Sequence, residues 1–210
     1  MPIDLLAMDY EVLRFFNATW SGPYWEMFWR TFTDLHKIPL VRFGLIPMII
    51  LWLAYLYRWQ VLKPLISMTA AIAIADNICY RVLKKGFERA RPLDNPEIAD
   101  WLQRIGHAAG HSFPSNHAAN VFAGATIMAW YWPRQAKYFY IFAALVAISR
   151  PVLGVHYPSD VIAGSLLGII VARLIRGFVL SQHSYFHLRK RVSNSDASIS
   201  DSRPNHRRWH

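Results

Sequence analysis

Long apolar blocks constrain this chain more than any other feature. A helix needs about 20 predominantly apolar residues to cross a bilayer. Five blocks reach or approach that length, at roughly 38–57, 64–84, 116–132, 136–150 and 157–181. They predict an all-α fold, a polytopic transmembrane helical bundle of five to six spans, rather than a soluble domain with a single anchor. Hydrophobic residues make up 54% of the 210 residues, enough for one domain with short appendages.

Charge supports the same reading. The formal net charge is +10, but the cations are spread along the connections. Arg58 and Lys63 lie between the first two spans, Arg134 and Lys137 between the third and fourth, and Arg173, Arg176, Arg189, Lys190 and Arg191 around the end of the last. Alternating connections rich in Lys and Arg are what the positive-inside rule places in the cytoplasm. A basic flank on membrane helices thus accounts for these residues, and no nucleic-acid partner is expected. Cys79 is the one cysteine and sits inside an apolar block, so it reads as a small buried hydrophobe with no disulfide framework. The N-terminus lacks a basic region followed by an apolar run and a small-residue cleavage site, so insertion is expected to rest on the spans themselves.

Three regions follow. Residues 1–37 interleave Phe15, Phe16, Trp20, Trp25, Phe28 and Trp29 with Asp9, Glu11, Glu26 and Arg30. That mixture suits an interfacial helical segment broken at Ser21-Gly22-Pro23, with a sixth span as the alternative. Residues 38–181 carry the spans. Residues 182–210 are Ser-, Arg- and His-rich and read as a basic, disordered cytoplasmic tail, whose end could touch anionic lipid heads. Within the spans, Asp76, Asn77 and Arg81 are costly in lipid and are expected to face the bundle interior, Asp76 through an interhelical hydrogen bond or ion pair. Gly164 and Gly168 form a small-xxx-small pair suited to close helix approach.

The chemistry gathers at one predicted face. The long polar connection 85–115 falls on the outer side by parity with the basic loops, yet it carries Lys85, Arg89, Arg91 and Arg104. Anion binding gives cations a reason to be there. The end of span two brings Lys84 and, after it, Arg91-Pro92. The start of span three brings Pro114-Ser115-Asn116-His117, with Ser115 as a good N-cap that leaves free N–H groups facing the outer loop. The junction of spans four and five brings Ser149-Arg150, His156 and Asp160. A helix should end at Arg150, because Pro151 disfavours helical geometry before it. A new helix should begin at Pro158. If that turn is helical, His156 and Asp160 share a face, and the carboxylate fixes the imidazole tautomer and raises its basicity.

Three permanent cations with a helix N-terminus make a site for a phosphoryl group. Two histidines then allow one to attack phosphorus and the other to protonate the leaving oxygen. No carboxylate or Cys/His cluster with metal-ligand spacing stands beside them, so neither metal nor other cofactor is called for. A non-catalytic protein that carries phosphorylated lipids would need the cations but not the histidines. Acyl hydrolysis through Ser115 lacks a Gly-x-Ser-x-Gly elbow.

Lys84-x6-Arg91-Pro92, Pro114-Ser115-Asn116-His117 and Ser149-Arg150-x5-His156-x3-Asp160 resemble the three signature motifs of the type 2 phosphatidic acid phosphatase superfamily. The match covers about 84–160. The resemblance implies that His156 is the nucleophile forming a phosphohistidine, that Asp160 orients it, and that His117 is general acid and then base. Lys84, Arg91, Ser115, the backbone N–H of Asn116, and Arg150 would hold the phosphate oxygens. Asn116 departs from the family pattern, which has Gly there. A backbone N–H survives that change, while the side chain either crowds the pocket or adds a hydrogen bond. The family also contains haloperoxidases using the same pocket for vanadate, a reading that five apolar spans oppose. What is expected is a bacterial lipid phosphatase of the inner membrane, multi-pass, with its site on the periplasmic face and a phosphorylated membrane lipid as substrate. Its small single-domain form is most like undecaprenyl-diphosphate phosphatases. Phosphatidylglycerophosphate, phosphatidic acid and lipid A are the alternatives.

Overall fold

A computed structural model describes residues 5–20 and 22–178, and all of its regular structure is helical among those residues. The tail 182–210 lies outside the described residues.

The N-terminal segment folds as two helices, α1 (Leu5–Thr19) and α2 (Pro23–Thr33). Gly22 adopts φ +116°, a conformation that suits a residue without Cβ, and Pro23 opens α2 from its first turn. At 15 and 11 residues, neither helix is long enough to span. The inner stripe of α1 is Asp9, Leu13 and Asn17, all buried, while Leu5, Met8, Val12 and Phe15 point outward. The fully buried Asn17 is the pin of this region. Its amide donates to the carbonyls of Gln103 (3.0 Å) and Val152 (2.9 Å), and its oxygen accepts from the Gln103 N–H (2.7 Å).

A π-helical stretch, Leu40–Leu45, leads into α3 (Ile46–Tyr57), which ends where Arg58 takes φ +53°. No residue of α3 is buried in the protein, although it is almost wholly apolar. Next comes α4 (Leu62–Asn77), followed by a π-helical turn, Ile78–Leu83, and the short α5 (Lys84–Phe87). The chain turns out of α5 at Glu88, whose N–H closes on the Lys84 carbonyl with φ +46°. After residues 88–115 come α6 (Asn116–Tyr131), α7 (Ala136–Val152) and α8 (Pro158–Phe178). Among the described residues two stretches qualify as membrane spans by length and hydropathy: one within Leu40–Ile98, which Arg58 and Glu88 interrupt, and Pro158–Phe178.

Helix α6 is the centre of the bundle, with α4 and α7 packed along it. On its third side α8 comes so close that a Cβ on Gly164 would lie 2.4 Å from the Ser115 carbonyl, and one on Gly168 2.2 Å from that of Ala119. The core here is built of small residues, Ala71, Ala75, Cys79, Ala119, Ala123 and Ala172 with Ile127 and Val171. Such interfaces let backbones approach in lipid, where packing replaces the hydrophobic drive. A second core, Trp29, Ile105, Val152, Leu153 and Val155 beside Leu13, Ile98, Leu102 and Tyr157, seats α1 and α2 on the 88–115 connection at the end of the bundle.

Candidate active site

The motif residues arrive from four places. Lys84 stands just past the π-helical turn, and its ammonium donates to the His111 carbonyl at 2.5 Å. Arg91, 5% exposed, is held as a fork by loop carbonyls: Nε donates to Gly110 O (2.8 Å), Nη2 to Ala109 O (3.1 Å) and Nη1 to Val155 O (2.8 Å). Ser115 caps α6, accepting from the Ala118 N–H at 3.5 Å, while its own N–H donates to the Asp160 carbonyl at 3.0 Å. Arg150 ends the bundle side. Its Nη1 donates to Thr33 Oγ1 at 3.1 Å, and its buried Nε has no protein partner. A buried donor without an acceptor is costly.

The expected end of α7 at Arg150 is corrected: the helix carries Arg150 and Pro151 inside it and stops at Val152. Ser149 Oγ donates to the Val146 carbonyl (2.6 Å) and the Leu153 N–H closes on Ser149 (2.9 Å), so the last turn pairs its carbonyls despite the proline. Gly154, at φ +71°, then reverses the chain against the Gln103 carbonyl, where a Cβ would sit at 3.1 Å. His156 precedes the next helix rather than lying on it. It meets Asp160 because Pro158 opens α8 and Asp160, two residues later, reaches back. Asp160 Oδ2 accepts from the Tyr157 N–H (3.0 Å) and faces His156 Nδ1 (3.3 Å), the reciprocal half of a capping box.

His156 is 3% exposed, and Arg91 Nη1 lies 3.1 Å from its Nε2. Arg91 can only donate, so Nε2 is the acceptor and the proton sits on Nδ1, toward Asp160. Burial pushes this imidazole down to about 4 and outweighs the upward pull of Asp160; Arg91 and Arg150 add to the depression. Burial likewise pulls Arg91 down from the usual guanidinium value.

Lys84, Arg91, Asn116, His117, Arg150 and His156 line one cavity of about 760 Å³. Ser115 and Asp160 are fully buried behind it. Asn116 is turned toward α4: its amide donates to Asp76 Oδ1 at 2.8 Å, and that of Asn120 does so at 3.0 Å. The intramembrane carboxylate is therefore the interhelical hydrogen-bond acceptor expected, and it accounts for where the atypical Asn116 side chain goes.

Sequence reasoning missed a set of supporting residues. Arg30, Thr33, Asp34 and Lys37 form the α2 side of the cavity, and Arg30 bonds the Ile105 carbonyl through Nε (2.8 Å) and Nη2. Arg89, noted only as a loop cation, grips Asp160 Oδ1 at 2.7 Å. None of these stands in a motif, and their partners lie far away in the chain.

The sequence pattern of the PAP2 superfamily matches residues 60–183, more than half of the chain. The chain belongs to the PAP2 superfamily and is an enzyme, a lipid phosphatase of that type. It is 30% identical over 171 residues to a lipid A 4′-phosphatase of Bacteroides thetaiotaomicron, covering 78% of this chain and 73% of that protein. With phosphatidylglycerophosphatase B of Bacillus subtilis it shares 32% over 114 residues, 49% of this chain and 52% of the other. The crystal structure of Aquifex aeolicus LpxE superimposes with a TM-score of 0.63 at 26% identity, covering 84% of this chain and 99% of that one.

Proposed function

We propose that this enzyme removes a terminal phosphate from a phosphorylated lipid through a phosphohistidine at His156. One observation carries the reading: Nε2 of a buried imidazole, backed by a carboxylate at Nδ1, meets Arg91 at the wall of a cavity that also holds Lys84, Arg150 and His117. As a phosphate enters, the Arg91 Nη1 N–H that rests on His156 Nε2 turns to a phosphate oxygen and frees Nε2, and the orphaned Nε of Arg150 takes another oxygen, with Lys84, Ser115 and the α6 N–H groups at Asn116 completing the cradle. Nε2 then attacks phosphorus as the bond to the leaving oxygen breaks, and His117 gives that oxygen a proton. The Nδ1 proton stays against Asp160, which stabilises the charge that develops on the ring. In the second step His117 takes a proton from water, the water oxygen attacks phosphorus, the P–N bond breaks, and inorganic phosphate leaves.

The placement we propose is a bacterial inner membrane, with α3, α4, α6, α7 and α8 as spans and the site on the periplasmic face. The bare apolar surface of α3 supports it, since only lipid covers such a helix without cost. The outward faces of α1 and α2, with Leu5, Met8, Phe15, Tyr24, Met27 and Phe28 exposed, suit helices lying in the interface. The lipid A 4′-phosphatase, similar over 78% of this chain, supports lipid A as the first substrate to try, ahead of the undecaprenyl diphosphate expected from sequence.

The test is phosphate release by the purified protein in detergent, with chelator present, from lipid A, undecaprenyl diphosphate, phosphatidylglycerophosphate and phosphatidic acid. We expect release from one of them, unaffected by chelator and lost in His156→Ala with the fold retained. Near-normal turnover by that variant overturns the mechanism. Release from none of the four overturns this choice of substrates.

A further inference from the structure

The cation that holds Asp160 is itself held by the first helix. Arg89 Nη1 donates to Asp160 Oδ1 and Nη2 to Asp9 Oδ2, both at 2.7 Å. Asp9 is 6% exposed and Asp160 fully buried. The Arg89 guanidinium lies 3.9 Å above the Tyr157 ring, next to the histidine. Asp9 also binds the start of α8: its Oδ1 accepts from the Ser159 N–H at 2.9 Å, and its Oδ2 takes the Ser159 hydroxyl, which in turn accepts from Arg89 at 2.7 Å. A carboxylate borrowed from α1 thus caps the helix that carries Asp160, where the helix dipole favours negative charge. Both oxygens of the Asp160 carboxylate are engaged, Oδ1 by Arg89 and Oδ2 by the Tyr157 N–H and His156.

We infer that Asp9 and Arg89 are positioning residues that set the charge Asp160 presents to His156, so that the N-terminal helix is part of the catalytic apparatus rather than only a membrane anchor. This rests on the phosphohistidine reading above. The physical reason is charge sharing. Arg89 alone on Asp160 would cancel much of the field that stabilises positive charge on the imidazole. With Asp9 on its other nitrogen, its charge is divided between two carboxylates, and Asp160 keeps more of its own for the histidine. The other charged or titratable groups near His156 are Arg91 from the 88–115 connection, Arg150 from α7 and His117 from α6, and Lys84 of α5 acts on Asp160. All of these stay in place in the variants below.

Opposite shifts distinguish this from a structural prop. Asp9→Asn keeps the shape but leaves Arg89 fully on Asp160, so the acid limb of kcat/KM moves to lower pH. Arg89→Gln frees Asp160 of its cation, so that limb moves to higher pH. Each shift is about one unit, and kcat falls about tenfold in Asp9→Asn, where Asp160 presents less charge to the ring, with KM little changed. Arg89→Lys, which keeps the charge without the fork, holds the limb near its wild-type place. The experiment measures pH–rate profiles of the full chain in detergent on whichever lipid phosphate it cleaves, beside His156→Ala. Wild-type turnover that survives in His156→Ala sinks the phosphohistidine reading itself. If His156→Ala is dead but both charge variants lose activity with the acid limb unmoved, or moved the same way, the charge-sharing inference alone is wrong. Should Asp9→Asn fail to fold, Asp9→Ser, which can still cap the Ser159 N–H, takes its place, and an acid limb that does not move down in it overturns the inference.

Discussion

His156, the proposed nucleophile, shows what burial does to a titratable group. Its folded-state value, about 4, lies below the ordinary histidine value near 6.5, so the folded protein binds fewer protons than the unfolded chain across that window. Stability contributed by the neutral ring is therefore intact above about pH 6.5 and is lost progressively as pH falls toward 4. We expect the thermal midpoint in detergent to drop between pH 7 and pH 5 by more in the wild type than in a His156→Phe variant, the difference between the two proteins isolating this residue. The same depression favours the neutral, nucleophilic form of the ring, so the His156 contribution to the acid limb of kcat/KM is expected below the ordinary histidine range. His156, Asp160 and the three cations were all legible in the sequence, because they recur in motifs of fixed spacing. Asp9, Arg89, Asn17 and Thr33 were not. An Asp in an amphipathic helix has no local mark that separates it from a solvated one, and its partner Arg89 is 80 residues away.

Among the elements, α8 is held by two unlike devices. Its N-terminus is capped by carboxylates from α1 and from its own third residue, and its middle lies flat against α6 through Gly164 and Gly168. The second contact is backbone against missing side chain, so no rotamer change relieves an added methyl. Gly168→Ala should cost about 1–3 kcal/mol, seen as a lower thermal midpoint, and Gly168→Leu should prevent assembly of the bundle. The pattern of small residues announced this contact in advance. The extension of α7 through Pro151 was not announced, since the Ser149 hydroxyl and the Leu153 turn that pair the last carbonyls depend on side-chain placement.

At the scale of the whole molecule, a core of small residues fills the bundle, and a second core around Trp29 lies beside the cavity, which its Leu153 and Val155 help to line. The proposed orientation is checked with a membrane-impermeant maleimide, because the single native cysteine, Cys79, is fully buried and gives no background. Cysteine placed at the exposed Glu97 should label from the periplasmic side of intact cells whose outer membrane has been made permeable, while cysteine at the exposed Arg134, at the opposite end of α6, should not.

The sequence by itself determined an all-helical fold and the lipid-phosphatase class, and it named the eight motif residues proposed for the site. Continuous apolar length leaves a helical bundle as the form to adopt, and phosphate chemistry demands cations, imidazoles and free N–H groups whatever surrounds them. Only the tertiary structure decided that the aromatic N-terminal segment closes one side of the cavity. It likewise decided that Asn116 turns to Asp76, and that the orienting carboxylate is tied to α1 through Arg89. Those facts depend on which distant groups meet in space, and a single linear sequence carries residue types and local spacing but not that juxtaposition.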